Sequence, residues 1–191
     1  RAINWCTTHA AEHNIVAISM SLGTNDVFTG DCDGLDLSLT TYLNTAVENN
    51  IAVVISSGNN GNSSYISYPA CLSNAIPVSA TDKYDNLWSG SNYNPLVKLF
   101  APGTLITSTC MGGGYCINEG TSMSAPMVAA AAAMLQQTSQ LLTGQPRSLP
   151  PKGEGGIEDI LFDYGDQITG LDFNQWRRLN VGNAVLSLIP P

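Results

Sequence analysis

The sequence predicts an α/β fold with a mainly parallel sheet and flanking helices, in one domain spanning residues 1–191. Three observations predict it. Strand-length apolar runs alternate with segments of helical periodicity, the signature of parallel strands joined by crossover helices. At 191 residues the chain is long enough for one core and is most economically one domain. Its hydrophobic content of 43% is that of an ordinary globular protein, and no internal repeat interrupts the pattern.

In chain order, residues 1–13 read as an amphipathic helix. Ile15-Val16-Ala17-Ile18-Ser19-Met20 is a short apolar strand ending at Gly23, and the polar, glycine-bearing residues 24–37 are a loop. Ser38 is the expected N-cap of a helix carrying Leu39, Tyr42, Leu43 and Ala46 on one face. Ile51-Ala52-Val53-Val54-Ile55 is a second, buried strand. A third, Ala75-Ile76-Pro77-Val78-Ser79-Ala80, contains a proline that predicts an edge or bulge. Val97-Lys98-Leu99-Phe100 reads as a fourth. A long alanine-rich helix is expected from about Ser122 to Gln137, then an exposed connection over 143–156 rich in Pro, Gly and Lys. Shorter helices are expected near 157–162 and 181–188.

Charge and cysteine content narrow the function classes. The net charge is −8, and the seven Lys and Arg are scattered, which argues against a nucleic-acid footprint. No apolar run reaches the length of a membrane span. Five cysteines suit an oxidising compartment. A tight glycine turn brings Cys110 and Cys116 close. Cys32 and Cys71 both lie in loops, and a bond between them would be worth about 3–4 kcal/mol on the chain-entropy model. Cys6 is left over.

The chemistry centres on Gly120-Thr121-Ser122-Met123-Ser124-Ala125-Pro126, which runs into a small-residue helix. This segment resembles the nucleophile motif of subtilisin-like serine proteases. The resemblance extends to Ser21-Leu22-Gly23 after the first strand, to Ser56-Ser57-Gly58-Asn59-Asn60-Gly61, to Tyr68-Pro69-Ala70, to Ala101-Pro102-Gly103 with Ile106-Thr107-Ser108, and to Leu179-Asn180-Val181-Gly182-Asn183-Ala184-Val185. These motifs stand in the family's order. The resemblance implies a partial subtilisin-like three-layer fold and a serine endopeptidase that forms an acyl-enzyme on Ser122. Asn59 would donate its side-chain amide to the oxyanion, and the backbone N–H of Ser122 would be the second donor. Ser21, Leu22 and Gly23 would pair with the substrate backbone as an added strand. They would wall the first specificity pocket with Ser56, Ser57 and Gly58, with Ser67 near its base. No charge falls at these positions, so an uncharged, apolar substrate side chain is expected. By the same resemblance the Tyr68–Pro69 peptide is cis, and Met127 replaces a histidine as a packing change. No cofactor is required, although weak calcium or other cation binding by the Ala70, Leu72 and Ala75 carbonyls is a family expectation.

A serine nucleophile needs a histidine oriented by an aspartate, and the family's order is Asp, His, Ser. The chain has two histidines, His9 and His13, and no aspartate precedes either. By resemblance neither is the catalytic one. The chain therefore reads as the C-terminal part of the catalytic domain, inactive by itself. It is expected to expose a sheet edge and an apolar face, and to pair with an N-terminal segment or second chain that supplies Asp and His. The expected partners are peptide or protein substrates, with neither nucleic acid nor membrane, and the expected location is secreted or extracellular. A competing reading is a non-catalytic peptide-binding or interaction fragment. A lesser one is a zinc site, since His9-Ala10-Ala11-Glu12-His13 spells H-x-x-E-H on a helix. Asp31-Cys32-Asp33-Gly34-Leu35-Asp36 faintly resembles a calcium loop but lacks its spacing and is read as a polar turn.

Overall fold

The computed structural model describes residues 1–172 and 174–190. The predicted first helix is divided into α1 (Ala2–Thr8) and α2 (Ala10–His13), and Asn14 in the left-handed region turns the chain into β1 (Ala17–Met20). Then come β2 (Val27–Phe28), α3 (Leu37–Glu48), β3 (Ala52–Ser56), β4 (Ile66–Ser67), β5 (Ile76–Thr81) and β6 (Leu99–Pro102). The hairpin β7 (Ile106–Thr109) and β8 (Tyr115–Asn118) precedes α4 (Thr121–Thr143), α5 (Ile157–Asp163), β9 (Arg177–Arg178) and α6 (Val181–Leu188).

The main sheet has the order β1-β3-β5-β6-β9, and every pair in it is parallel. Its strands bury both faces, as their nearly unbroken apolar runs require. Side chains alternate along each strand. Ala52, Val54, Ile76, Val78, Leu99 and Ala101 point to one core, which α4, α5 and α6 cover. Val53, Ile55 and Phe100 point to the other, with Ile3 of α1 and Leu43 and Ala46 of α3. The result is three layers, as the family resemblance implied.

Four local readings change. The cap of α3 is Asp36, not Ser38: its carboxylate accepts the N–H groups of Ser38 and Leu39 at 2.9 and 3.1 Å. Pro77 sits in a central strand, not at an edge. It is tolerated because β5 pairs with β3 from Ile76 but with β6 only from Val78, so one side of Pro77 makes no ladder. Helix α4 runs on past Gln137 to Thr143, where Gly144 closes it in the left-handed conformation. The hairpin β7–β8, joined at its end by the Cys110–Cys116 disulfide, was expected only as a glycine turn.

Cys32 and Cys71 are bonded and buried, and Cys6 is unpaired and half-buried. Asp33 accepts the backbone N–H and hydroxyl of Ser73 at 2.9 and 2.6 Å. With Asp36 on α3, the acidic loop is a set of structural ties, as a polar turn should be. Glu158, 2% exposed, lies between two ammonium groups, Lys98 at 3.4 Å and Lys152 at 3.7 Å; Lys98 also meets Asp159 at 3.2 Å. Burial works against the charge of Lys98, yet the Glu158 and Asp159 carboxylates outweigh it and hold the ammonium above its ordinary range. Among the described residues no helix is long and apolar enough to cross a membrane.

Two stability outcomes follow from these ties. Replacing Cys32 and Cys71 together by alanine should lower unfolding free energy by about 4 kcal/mol, read from urea unfolding, because the bond closes a loop of 39 residues. For Lys98 the folded-state pKa is raised, so its contribution is complete below the ordinary lysine value of 10.5 and is lost as pH rises through the folded value. The gap in urea midpoint between wild type and Lys98→Met should persist up to that pH and shrink above it.

Candidate active site

Helix α4 starts at the carboxyl ends of the parallel strands, and its first turn places Ser122. Gly120 precedes the turn at φ 145°, a region that only glycine enters readily. Gly103, after β6, accepts the Gly120 N–H on its carbonyl at 2.7 Å. A Cβ on Gly103 would lie 2.6 Å from that of Ala80 and 2.8 Å from the Gly120 carbonyl, so no larger residue fits. The hydroxyl of Ser124 donates to Ala101 O of β6 at 2.9 Å.

Pro126 matters through what it lacks. In an α-helix the N–H of residue 126 would bond the carbonyl of residue 122, and proline has no N–H. The freed carbonyl of Ser122 is taken by the Ser21 hydroxyl, which donates to it at 2.7 Å. The segment after β1 is thereby fastened to the serine's own backbone. The N–H of Ser122 lies in the first turn, where helix N–H groups have no intrahelical acceptor and the helix dipole favours negative charge.

Asn59 follows β3 and faces the same turn. Its Oδ1 accepts the backbone N–H of Thr121 at 3.0 Å and the Thr121 hydroxyl at 2.8 Å. With the oxygen so engaged, the amide's Nδ2 is the end left to donate outward. The turn carrying Asn59 is shaped by Asn92, which is fully buried. Asn92 Oδ1 accepts the N–H groups of Asn60 and Asn62 at 2.9 and 3.2 Å, and its own N–H donates to Gly58 O at 2.9 Å.

These elements enclose a cleft of about 320 Å³. It brings together Ser21, Leu22, Gly23, Ser56, Gly58, Asn59, Ser67 and Ser122 from the sequence reading, and adds Thr24, Asn25, Asn60 and Thr121. Ser57 is not in the wall. It is fully buried beneath it, and its hydroxyl donates to Asn92 O at 2.7 Å. Ser67 belongs to β4, which pairs antiparallel with β2 and so forms the far side. The Tyr68–Pro69 peptide behind it is cis. Asn92 and Thr121 were missed in the sequence as positioning residues. Thr121 sat in the motif itself, whereas nothing local distinguishes Asn92 from an ordinary loop asparagine.

Among the described residues no histidine or carboxylate lines the cleft. His9, at the junction of α1 and α2, and His13, at the end of α2, both stack on Trp5 with ring centroids 4.5 and 5.5 Å away. His9 Nδ1 is 2.9 Å from Trp5 O. Among the described residues no group of three or more His, Cys, Asp or Glu side chains could hold a metal ion. The H-x-x-E-H pattern is thus part of an aromatic stack on a helix face.

Comparison with known proteins gives this geometry a lineage. The model of the subtilase family matches residues 1–149. The chain is 40% identical over 180 residues to the thermophilic serine proteinase of Bacillus sp. (strain AK1), which covers 93% of this chain and 39% of that protein. It is 36% identical over 154 residues to the minor extracellular protease Epr of Bacillus subtilis (strain 168), covering 78% of this chain and 22% of that protein. The chain therefore spans about two fifths or less of the length of these relatives. Among solved structures, the patellamide maturation protease PatA superposes with a TM-score of 0.75 at 26% identity, covering 97% of this chain and 67% of PatA. A serine at the head of a small-residue helix, held by the S-L-G segment and faced by a tethered asparagine, thus comes with matching sequence along most of the chain: the protein belongs to the subtilase family.

Proposed function

We propose that this chain is the part of a secreted subtilisin-type serine endopeptidase that carries the nucleophile and the oxyanion site. Ser122 attacks the peptide carbonyl, and the tetrahedral oxyanion is bound by Asn59 Nδ2 and the Ser122 N–H. The observation that carries this reading is the double hydrogen bond from Thr121 to Asn59 Oδ1, because it aims a neutral donor at the space in front of Ser122. The exposed Ser21-Leu22-Gly23 backbone receives the substrate as an added strand. The cleft is uncharged and, apart from Leu22 and Gly23 and Gly58, lined by Ser, Thr and Asn. That lining suits an uncharged substrate side chain.

The base and its orienting aspartate come from an element beyond the cleft described above. Two features favour a separate strand-and-helix element beside it. The outer edge of β1 ends the sheet. Next to Ser122, a hollow of about 360 Å³ is lined by Ile106, Met123, Pro126, Met127 and Ala130, an apolar seat for a helix bearing the histidine. The peptide-binding alternative shares the Ser21–Gly23 edge but has no use for the fixed amide of Asn59.

Fluorophosphonate labelling of Ser122, read by mass spectrometry, tests the proposal. The chain alone should label slowly. Adding a subtilase N-terminal segment with its Asp and His should accelerate labelling and restore peptide hydrolysis; the absence of both effects would contradict the endopeptidase reading. In the complemented enzyme, Asn59→Leu should lower kcat by about 10²–10³ with little change in KM. Thr121→Val should give a smaller fall in kcat, since the backbone N–H still holds the amide oxygen.

A further inference from the structure

We propose that Lys152 occupies, as a tethered ammonium, the place that a metal cation would take in the loop of residues 70–75. The family resemblance raised cation binding by the carbonyls of Ala70, Leu72 and Ala75. The residues present do not fit such an ion. Lys152 Nζ donates to Ala75 O at 2.7 Å and to Ser73 O at 2.9 Å. Leu72 O accepts the Ala75 N–H at 2.9 Å. A metal ion bound to Ala75 O at about 2.4 Å would stand within about 5 Å of the ammonium, where like charges repel strongly.

The surroundings complete the case. Two carboxylates adjoin this loop, and both are engaged: Asp33 accepts the Ser73 N–H and hydroxyl, and Glu158 is buried and paired with Lys152 and Lys98. With Asp159 on Lys98, two ammonium groups face two carboxylates, and the cluster is neutral without any ion. A buried carboxylate demands a counter-charge, and the connection between α4 and α5 supplies one covalently. Its position is fixed by backbone bonds: the N–H groups of Ile157 and Glu158 donate to Pro150 O and Pro151 O at 2.8 and 3.1 Å, so the turn that bears Lys152 folds back onto the head of α5. The loop of residues 70–75 is held from its other side by the Cys32–Cys71 bond and by Asp33 on Ser73.

The test is amide hydrogen exchange of residues 70–76, followed by mass spectrometry on wild type and Lys152→Met. Each is measured after exhaustive chelation in choline chloride, then with sodium, potassium or calcium chloride at equal ionic strength. Wild-type protection should be the same in all buffers. In Lys152→Met, protection should fall by roughly tenfold or more in choline, and at least one of the three cations should restore it. Cation-dependent protection in wild type would overturn the proposal. So would a variant unaffected in choline, or a loss that no cation repairs. Should the variant fail to fold in every buffer, the wild-type series decides alone.

Discussion

The first turn of α4 is the joint on which the rest of the site depends. Gly103 after β6 bonds Gly120, Asn59 after β3 bonds Thr121, Ser21 after β1 bonds the carbonyl of Ser122, and Ala101 in β6 receives Ser124. Three strand ends therefore converge on four residues at the head of one helix, its N-cap Gly120 and Thr121, Ser122 and Ser124 in the first turn. Each bond uses a group that regular structure leaves without a partner: a helix N-terminal N–H, a carbonyl orphaned by proline, a hydroxyl beside a strand end. Because polar groups this close to the core are costly to leave unpaired, the constraints reinforce one another. The serine is fixed by the same bonds that finish the secondary structure.

A second joint secures the opposite end of α4. Gln136, almost fully buried, donates to Leu149 O at 2.6 Å and accepts the Leu149 N–H at 3.2 Å, tying the helix to the connection that follows it. That connection then folds onto α5 and brings Lys152 beside Glu158. A segment that composition marks as loop is in this way an ordered brace. The bond between Asn50 Nδ2 and Arg147 O at 2.8 Å extends the brace to the end of α3. Here the charged side chains satisfy a buried carboxylate instead of solvating a surface.

Much of this was legible in the sequence because it is local. Apolar runs located β1, β3 and β6, the motif around Ser122 located the head of α4, and Asn59 stood in a recognisable turn. What could not be read depends on contacts across long separations. Pro77 looked like an edge residue because a sequence does not show at which residue each neighbouring ladder begins. Ser38 looked like a cap because Asp36, two residues earlier, is an equally good one. Asn92 gave no signal, since its role is set by Gly58, Asn60 and Asn62, some thirty residues away. Ser57 was placed in the cleft by its motif, yet strand alternation at the end of β3 turns its hydroxyl inward to Asn92.

The two edges of the sheet are built differently, and the difference bears on what completes the site. At one edge β9 is two residues long and both are arginines, one of them paired with Asp85 and Asp166. A short, charged strand is a poor template for further pairing. At the other edge β1 reads Ala17-Ile18-Ser19-Met20, with no charge, no proline and no bulge. Ala17 packs into one core, Ile18 and Met20 into the other, and their outward edge is bare backbone. An unprotected apolar edge is a standing invitation to another strand. It adjoins Ser21, which holds the carbonyl of Ser122. A strand added in parallel register with β1 would bring its carboxyl end to the same side of the sheet as Ser122, the side on which α/β proteins assemble their chemistry. Ser21, the residue that follows β1, thus ties the undefended edge to Ser122, so under the proposed function a strand pairing with β1 would arrive beside that serine.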